Sequence, residues 1–490
     1  MNMITYFNSF LEKNFNNYLK SYFSKNNFLY KSSDFNNYFN FISDLDKFSS
    51  SLISDILKSY FEYIDECFFN SSYRKSFCTS KGFYERKNFV TMFGNISFKR
   101  RCYFDKNTNE YFFFTDFFLG LPKRKHFDPF ICADLVEKSA DNSYSKAGKI
   151  ISDKIGLRTS TDSTTSIYIS RATVRNIVLG FVPTIDEVKE KQRIERLFIM
   201  LDEKFVGSQF NNGIDHMIKA AVIFENTKLE YKTKRKPDSI DRYRLVNSHT
   251  CANIDNGLTL DVVDYIYNNY DTEHLKEIYF MGDCATWIKN FPKSHWFKFT
   301  KDTNIYFSMD GYHFSQAINN ITTTKKENEN WNNALNHAVK VNNKDLFTRL
   351  CNRFIEENPA RESTIISKEK YILNNWDERQ LYQNKQYLKC SMESHISHIF
   401  ADIFTSRPKA YSKKGLRKLL EIRLLKINGY NLKEVYLNSF NKKKEKLSSN
   451  INKIKRNELN FHTNESVYDY EYKVEANGYY LNEHNAINFI

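Results

Sequence analysis

Three acidic residues, far apart in the chain, have the residue types and positions that metal-dependent chemistry on phosphodiesters requires. Asp202 ends the apolar run 197–201, Asp283 follows the apolar run 278–281, and Glu393 lies beside the apolar face of a predicted helix. Short aspartates at the ends of neighbouring strands and a longer glutamate from a helix beside the sheet can reach one point. Two divalent ions held there would activate an oxygen nucleophile and stabilise a leaving oxygen. The pattern predicts that these three carboxylates bind Mg²⁺ or Mn²⁺.

Spacing by itself leaves this prediction open. An aspartate that closes a buried strand is often only a turn or cap residue. Two carboxylates 4 Å apart repel by about 4 kcal/mol at an effective dielectric of ~20, so a cluster of three needs a compensating cation, and Mg²⁺ suits one or two carboxylates with water and phosphate oxygens. Periodicity also cannot choose Glu393 over Glu356, Glu357, Glu362 or Glu378.

The surrounding pattern predicts a mixed α/β sheet that would position the aspartates. Buried-type strands are predicted at 197–201, 220–224, 278–281 and 305–309, with a helix near 260–267. Residues 325–385 are typical of polar helices. The helix that would carry Glu393 has an apolar face and is stopped by Arg407-Pro408; its apolar residues are Met392, Ile396, Ile399, Phe400 and Ile403.

Two basic features precede this region. Residues 89–98 alternate as a hairpin with a turn at Gly94-Asn95, and the strand continues into Arg100 and Arg101. A basic hairpin with aromatic residues could lie on DNA, and a solvated charged edge that prevents aggregation explains it equally well. Ser170 is predicted to cap a helix with Arg171 and Arg175 on one face, which is typical both of a recognition helix and of any amphipathic surface helix.

The overall charge favours nucleic acid as a partner. Lys and Arg number 72 against 58 Asp and Glu, giving +14, and the positive field of such a chain attracts polyanions. A helix near 413–420 adds Lys413, Lys414 and Arg417 on its outer face. No apolar run approaches the ~18 residues of a membrane span, and no secretory signal opens the chain, so we expect a cytoplasmic, nucleoid-associated protein with no membrane partner. Its 8 cysteines lack paired spacing and are expected to be reduced thiols.

Several motifs resemble those of the ISLre-type insertion-sequence transposases, which are distant relatives of the Mutator-like group. The sequence YFMGDCATWIK at 279–289 is similar to the family's Gly-Asp-Gly-Ala-x-Trp-Ile motif, with Cys284 in place of the second glycine. MLDEKFV at 200–206 resembles the region of its first aspartate, and ESHISH at 393–398 with TSRP at 405–408 resembles that of its final glutamate. DGYH at 310–313 matches an Asp-x-x-His element of the wider group, and residues 91–103 look like its N-terminal region.

The resemblance implies a D-D-E transposase with a ribonuclease H-like catalytic core. Its site would comprise Asp202, Asp283 and Glu393 on the metals, with His313 at the edge of the site contacting phosphate or positioning DNA; His313 could equally be a strand-end histidine satisfied by Asp310. The 110 residues between Asp283 and Glu393 exceed a plain ribonuclease H fold and imply a helical insertion. Partners would be double-stranded DNA, as element ends and target, and further copies of the chain in a homodimer or larger assembly.

The resulting expectation is a multidomain α+β protein in which helical and small β or helix-turn-helix DNA-binding regions precede the core. Its divisions are a helical region 1–72, a small β-rich region 73–135, a candidate helix-turn-helix region 136–190, the first part of the core 191–325, a helical insertion 326–385, the catalytic-glutamate and basic helices 386–430, and a basic polar tail 431–490. The expected function is transposition by strand cleavage and strand transfer. Two alternatives stay open at this stage: a nuclease of the same fold, and a non-catalytic DNA-binding protein derived from a transposase.

Overall fold

The chain forms two compact units in the computed structural model, one of 1–185 with 431–490 and one of 186–430. The structure describes residues 36–121, 126–159, 167–185, 190–209, 215–231, 242–323, 328–378, 396–405 and 410–440, with isolated positions among 12–20 and at 388 and 392. No helix in these ranges is long and apolar enough to cross a membrane.

The first unit packs one long helix against a small antiparallel sheet. Helix α1 (Asn36–Asn70) and the short α2 (Ser72–Phe77) precede strands β1 (Cys78–Thr91), β2 (Gly94–Asp105) and β3 (Glu110–Phe112), with β2 in the middle of the sheet. Aromatic rings fill the space between α1 and the sheet, as in the edge contact of Phe61 with Phe98 at 4.9 Å. β1 and β2 pair as antiparallel neighbours, so the predicted hairpin is present.

The hairpin turn lies two residues before its predicted position. Thr91 pairs with Gly94, so Met92 and Phe93 form the turn and Gly94 is the first residue of β2. The Thr91 hydroxyl accepts the Phe93 amide at 3.2 Å and donates to the Gly94 carbonyl at 3.0 Å, which closes the turn. Gly94 has φ of 125°, a conformation that glycine adopts readily, so the glycine marks the residue after the turn.

Helices follow the sheet in the first unit. Helix α3 (Phe114–Phe118) is a single short turn, and α4 (Pro129–Ser139), α5 (Tyr144–Thr159) and α6 (Arg171–Gly180) then pack on one another. The Ser170 hydroxyl accepts the Thr173 amide at 3.2 Å, confirming the predicted cap. Val174 and Val178 of α6 are buried, whereas Arg171 and Arg175 are exposed, so the helix is amphipathic as predicted.

The second unit is built on a mixed five-stranded sheet. Its strands are β4 (Arg196–Val206), β5 (His216–Phe224), β8 (His249–Asn253), β9 (Glu277–Gly282) and β10 (Asn304–Met309), in the spatial order β10-β9-β4-β5-β8. β5 is antiparallel to β4 and to β8, whereas β9 and β10 run parallel to β4. A separate two-stranded ribbon, β6 (Asn226–Tyr231) with β7 (Arg242–Val246), lies in sequence between β5 and β8.

The two faces of this sheet have different cores. Strand residues alternate in direction, so one face of β4 and β9 presents Leu197, Ile199 and Leu201 with Ile278 and Phe280, which pack against helix α7 (Leu258–Asn269). The other face carries a row of aromatic rings that crosses the strands. Each ring is stacked on the next, with centroids 5.4, 5.2 and 4.9 Å apart; the rings belong to Phe224, Phe198, Tyr279 and Tyr306.

Helices complete the second unit. The short α8 (Thr286–Asn290) follows β9, and α9 (Gly311–Thr322) follows β10; α10 (Glu329–Lys340), α11 (Lys344–Glu357) and α12 (Glu362–Asn374) form a helical group with its own core around Phe347 and Trp376. A π-helix, Ser397–Thr405, packs against β4, and α13 (Lys413–Ile427) packs against β8. The apolar face predicted for the helix near 393 is buried at all of its residues, Met392, Ile396, Ile399, Phe400 and Ile403.

Candidate active site

Asp202 lies in the middle of the central strand of the second unit, where it is 7% exposed. The sequence predicted that a strand would end at this residue, but β4 continues to Val206 because β5 stays paired along it, with Asp202 opposite Ala220. Only the pairing with β9 stops near this point. Asp202 therefore lies where β4 loses its neighbour on one side, and its Oδ1 accepts the Glu203 amide at 2.7 Å.

Asp283 follows β9 directly, as predicted. Met200 of β4 pairs with Met281. Asp202 and Asp283 each lie two residues further along, so they are neighbours. Met309 of β10 pairs with Gly282, which places Asp310 beside Asp283 in the same way. The Asp310 amide donates to the Gly282 carbonyl at 2.8 Å, so this pairing extends one residue past the strand.

Asp202, Asp283 and Asp310 lie on the same face of the sheet as the stacked aromatic rings. Each comes four residues after an aromatic residue of that row, namely Phe198, Tyr279 and Tyr306, and side chains in register on parallel strands point to one side. Neighbouring strands lie about 4.8 Å apart. We call Asp202, Asp283 and Asp310 the acidic row. Asp310 was not predicted as part of an acidic site, although its position after a buried strand was the available signal.

The loop that carries Asp283 is held by its own backbone and by helix α12. The Asp283 carboxylate accepts the Ala285 amide at 2.9 Å, and its carbonyl accepts the Tyr371 hydroxyl at 2.6 Å. Cys284, between them, has φ of 68°, the left-handed region that favours glycine, so the residue that replaces the motif's glycine is strained. Gly282 has no room for a side chain, because a Cβ there would lie 2.6 Å from Ile288 and 3.0 Å from the Leu201 carbonyl oxygen.

An ion pair ties α8 to the end of the helical group. Lys289 Nζ lies 2.6 Å from Glu378 Oε1 and donates to Asn375 Oδ1 at 3.0 Å. The Ser308 hydroxyl, on β10, donates to the Glu378 carbonyl at 3.1 Å. The predicted helical segment before Glu393 therefore packs at the same end of the sheet as the acidic row.

Glu203 is a second acidic residue at this end that the sequence prediction missed. It accepts a hydrogen bond from the Trp287 indole, whose ring also lies under Lys219 at 5.4 Å. Burial raises the pKa of Glu203; the indole bond opposes this effect, and the negative charge of Asp283 adds to it. Only its position beside Asp202 could have indicated it from the sequence.

His313 contacts the acidic row through Asp310. Its Nδ1 lies 2.8 Å from Asp310 Oδ2, and Asp310 also caps α9 by accepting the Tyr312 amide at 3.0 Å. The hydrogen bond with Asp310 raises the pKa of His313, burial opposes it, and the charges of Asp310, Asp283 and Asp202 raise it further. The protonated imidazolium is thus favoured beside the acidic row, and the contact with Asp310 that the sequence offered as one of two readings is present.

The donor set fits a hard divalent cation. Asp202 and Asp283 offer carboxylate oxygens from adjacent strands, and Mg²⁺ typically takes one or two carboxylates together with water and phosphate oxygens. Within the described ranges no three His, Cys, Asp or Glu side chains are grouped closely enough to hold a metal ion by themselves. Glu393, the predicted third ligand, lies outside the described residues.

Comparison with known proteins places the chain in a family. The model of the uncharacterised protein family UPF0236 matches residues 37–444, which is most of the chain. The chain belongs to this family. Both compact units contribute residues to the match, and it contains Asp202, Asp283, His313 and Glu393.

Several UPF0236 proteins of Caldanaerobacter subterraneus subsp. tengcongensis are similar to this chain. UPF0236 protein TTE0402 is 28% identical over 359 residues, 72% of this chain and 66% of the relative, so the match spans just under two thirds of that relative's length. A second, whose name carries four designations, is 28% identical over 72% of this chain and 70% of the relative. A third, whose name carries eleven designations, is 27% identical with the same coverage as the second.

The residues predicted to bind DNA have different surroundings in this UPF0236 chain. Arg100 and Arg101 are only 7% and 8% exposed. Arg100 Nη2 donates to Asp116 at 2.9 Å, and Arg101 pairs with Asp65 at 2.8 Å. Both guanidinium groups therefore tie the hairpin to helices of the first unit, Arg100 to α3 and Arg101 to α1. Their burial does not agree with the prediction that they face DNA.

The other predicted DNA contacts lie on helix surfaces. Arg171 and Arg175 are exposed on one face of α6. On α13, Lys414 is exposed, whereas Lys413 and Arg417 both pair with Asp255 at 2.6 Å. The exposed residues among those predicted to bind DNA therefore lie on α6 in the first unit and on α13 in the second.

Proposed function

We propose that this chain is a D-D-E DNA transposase whose catalytic core has a ribonuclease H-like fold. The observation that carries the proposal is the register of the sheet, which brings Asp202 and Asp283 side by side although 81 residues separate them in the chain. Clustering carboxylates is electrostatically unfavourable, so an arrangement of this kind favours a site that binds cations.

The strand order supports the fold assignment within this proposal. Three consecutive antiparallel strands, β4, β5 and β8, are followed by two strands, β9 and β10, parallel to the first, and β4 is central. Helix α7 precedes β9, and the helical group follows β10 and α9. We take this order as support for a ribonuclease H-like core, in which the helical group would be an insertion before the helix that would carry Glu393.

Within the site, this chain's residues would hold and orient the reacting groups. Asp202, Asp283 and Glu393 would hold Mg²⁺ or Mn²⁺, which when bound activates an oxygen nucleophile and stabilises a leaving oxygen. The π-helix that packs on β4 begins four residues after Glu393, which is consistent with a glutamate reaching the sheet from a helix. His313, held in place by Asp310, would contact a DNA phosphate beside the acidic row.

The family comparison adds support of a different kind. One UPF0236 relative carries eleven designations within a single organism. A mobile element present in many copies would give one protein many designations.

Substitution of Asp283 tests the assignment. The substrate is a duplex carrying the sequences that flank the coding region, and strand cleavage is followed with Mg²⁺. Asp283→Asn is expected to lower cleavage at least about 100-fold and to leave DNA affinity within about twofold, because a metal ligand is lost while the amide oxygen can still accept the Ala285 N–H. Asp264→Asn, an exposed aspartate on α7 in the same unit, serves as the matched control and should cleave normally.

Cleavage that persists in Asp283→Asn, with Asp264→Asn as the reference, would refute the site. A nuclease of the same fold is distinguished by pre-cut ends with free 3′-hydroxyls: a transposase joins them to target DNA, whereas a nuclease does not. A protein that binds these ends and neither cleaves nor joins them would be the non-catalytic alternative.

A further inference from the structure

The β6–β7 ribbon leaves the catalytic sheet and has a fixed base. It continues from β5 and returns into β8, and the Glu225 amide, at the base, donates to the Val246 carbonyl at 3.1 Å. The Glu225 carboxylate accepts the Asn247 side-chain amide at 2.9 Å and the hydroxyl of the buried Tyr270 at 3.3 Å. The base of the ribbon is therefore anchored to the end of α7.

Beyond the base, both faces of the ribbon are exposed. Leu229 pairs with Tyr243, and these apolar side chains are 37% and 57% exposed. On the other face Lys228 pairs with Arg244, and both are exposed. Neither of these two cations has an ion-pair partner among the described residues.

Two features of the ribbon are unfavourable in isolation. An isolated two-stranded hairpin is only marginally stable in water. Like charges directly opposite each other on paired strands are destabilising, and Lys228 and Arg244 are such a pair. Both costs are offset when a polyanion lies against the basic face, because each cation then neutralises an anionic group.

We propose that the β6–β7 ribbon is a DNA-binding arm, with Lys228 and Arg244 contacting backbone phosphates of duplex DNA. This inference rests on the proposed function, which supplies DNA as the substrate. A two-stranded ribbon has the width to enter the major groove. The sequence between the two strands, 232–241, adds four Lys or Arg residues against two Asp, so the ribbon segment is basic as a whole.

The arm contacts DNA away from the acidic row. The ribbon begins two residues after Phe224, which pairs with Phe198, and Asp202 lies four residues further along β4. At about 3.3 Å per residue, the base of the ribbon is at least ~13 Å from the acidic row along the strand. Lys228 and Arg244 therefore bind the flanking duplex and take no part in the chemical step.

The experiment measures the salt dependence of binding to a fluorescent duplex of arbitrary sequence, from about 50 to 200 mM salt. The double variant Lys228→Gln/Arg244→Gln is expected to bind more weakly and to lower the slope of log K against log salt by about 1.8, since each lost phosphate contact contributes about 0.9.

Two controls separate this role from loss of fold or of net charge. Lys228→Arg/Arg244→Lys keeps both charges and should keep the slope. Lys340→Gln/Arg349→Gln removes two exposed cations from the helical group of the same unit and should change the slope much less.

The outcomes are distinct. An unaltered chain that binds no DNA refutes the proposed function itself. If the unaltered chain binds DNA with a steep slope and the Lys228→Gln/Arg244→Gln variant shows the same slope, only the proposal of a DNA-binding arm is overturned. The arm is also overturned if that variant keeps its DNA slope and loses instead binding to anionic phospholipid vesicles or self-association.

Discussion

The strained residue beside Asp283 gives a sharp test of the loop geometry. Cys284 has φ of 68°, a conformation that costs an L-residue roughly 1–2 kcal/mol and costs glycine nothing. Glycine in turn loses about 0.5–1 kcal/mol more than alanine through its freedom in the unfolded chain. We therefore expect Cys284→Gly to be more stable than Cys284→Ala by about 0.5–1 kcal/mol. Both variants lose the buried thiol, so its packing cancels in the comparison.

Cys351 provides the matched control. It is fully buried in the same unit, but it lies inside helix α11, where glycine is less favourable than alanine by about 1 kcal/mol. The order of the two variants should therefore reverse: Cys351→Ala should be more stable than Cys351→Gly. The difference between the two sites amounts to about 1.5–2 kcal/mol.

Urea unfolding followed by tryptophan fluorescence measures these differences. All 4 tryptophans, at 287, 296, 331 and 376, lie in the second unit, so the signal reports that unit alone. Comparison of midpoints is valid where the slope with urea is unchanged. If Cys284→Ala is as stable as Cys284→Gly, or more so, the left-handed conformation at this position is wrong.

Three further predictions concern charged groups. Asp116→Asn should destabilise the first unit by about 3–5 kcal/mol in thermal unfolding followed by circular dichroism, because it leaves two buried guanidinium groups without their carboxylate; a change under 1 kcal/mol would contradict this. Burial raises the pKa of Asp128 to about 6, so the folded protein keeps a proton on this carboxyl that the unfolded chain loses from about pH 4. Asp128→Asn keeps the cap on α4. Thermal unfolding should show that it stabilises the folded protein at pH 8 and has little effect near pH 4. The hydrogen bond with Asp310 raises the pKa of His313, so the pair contributes its full stability below about pH 6.5 and loses it as pH rises through the folded pKa. The loss of stability in His313→Gln should therefore be larger at pH 5.5 than at pH 9. Equal losses at the two pH values would contradict the ion pair.

Local patterns in the sequence were sufficient for most elements of the second unit. Apolar runs identified β4, β5, β9 and β10, because a strand buried on both faces must be apolar at consecutive positions. Helical periodicity identified the buried face that includes Ile396 and Phe400. The cap at Ser170 was predictable for the same reason, since its hydrogen bond joins residues three apart.

Tertiary pairing decided what the local patterns left open. The sequence could not show that β4 continues past Asp202, because that depends on β5, which lies 14 residues or more further on. It could not show whether Arg100 and Arg101 are exposed, since their partners Asp116 and Asp65 come from other elements. Charge counts alone favour a surface role, whereas packing against distant carboxylates buries these groups.

The amino-acid sequence by itself determined which residues can form strands, helices and caps, and it indicated two aspartates that later prove adjacent. Only the tertiary structure decided that adjacency and added Asp310 and Glu203 to the same end of the sheet. The physical reason is that hydrogen-bond register between strands far apart in the chain is set by side-chain packing on both faces of the sheet, and neither composition nor periodicity encodes the distance between two strands.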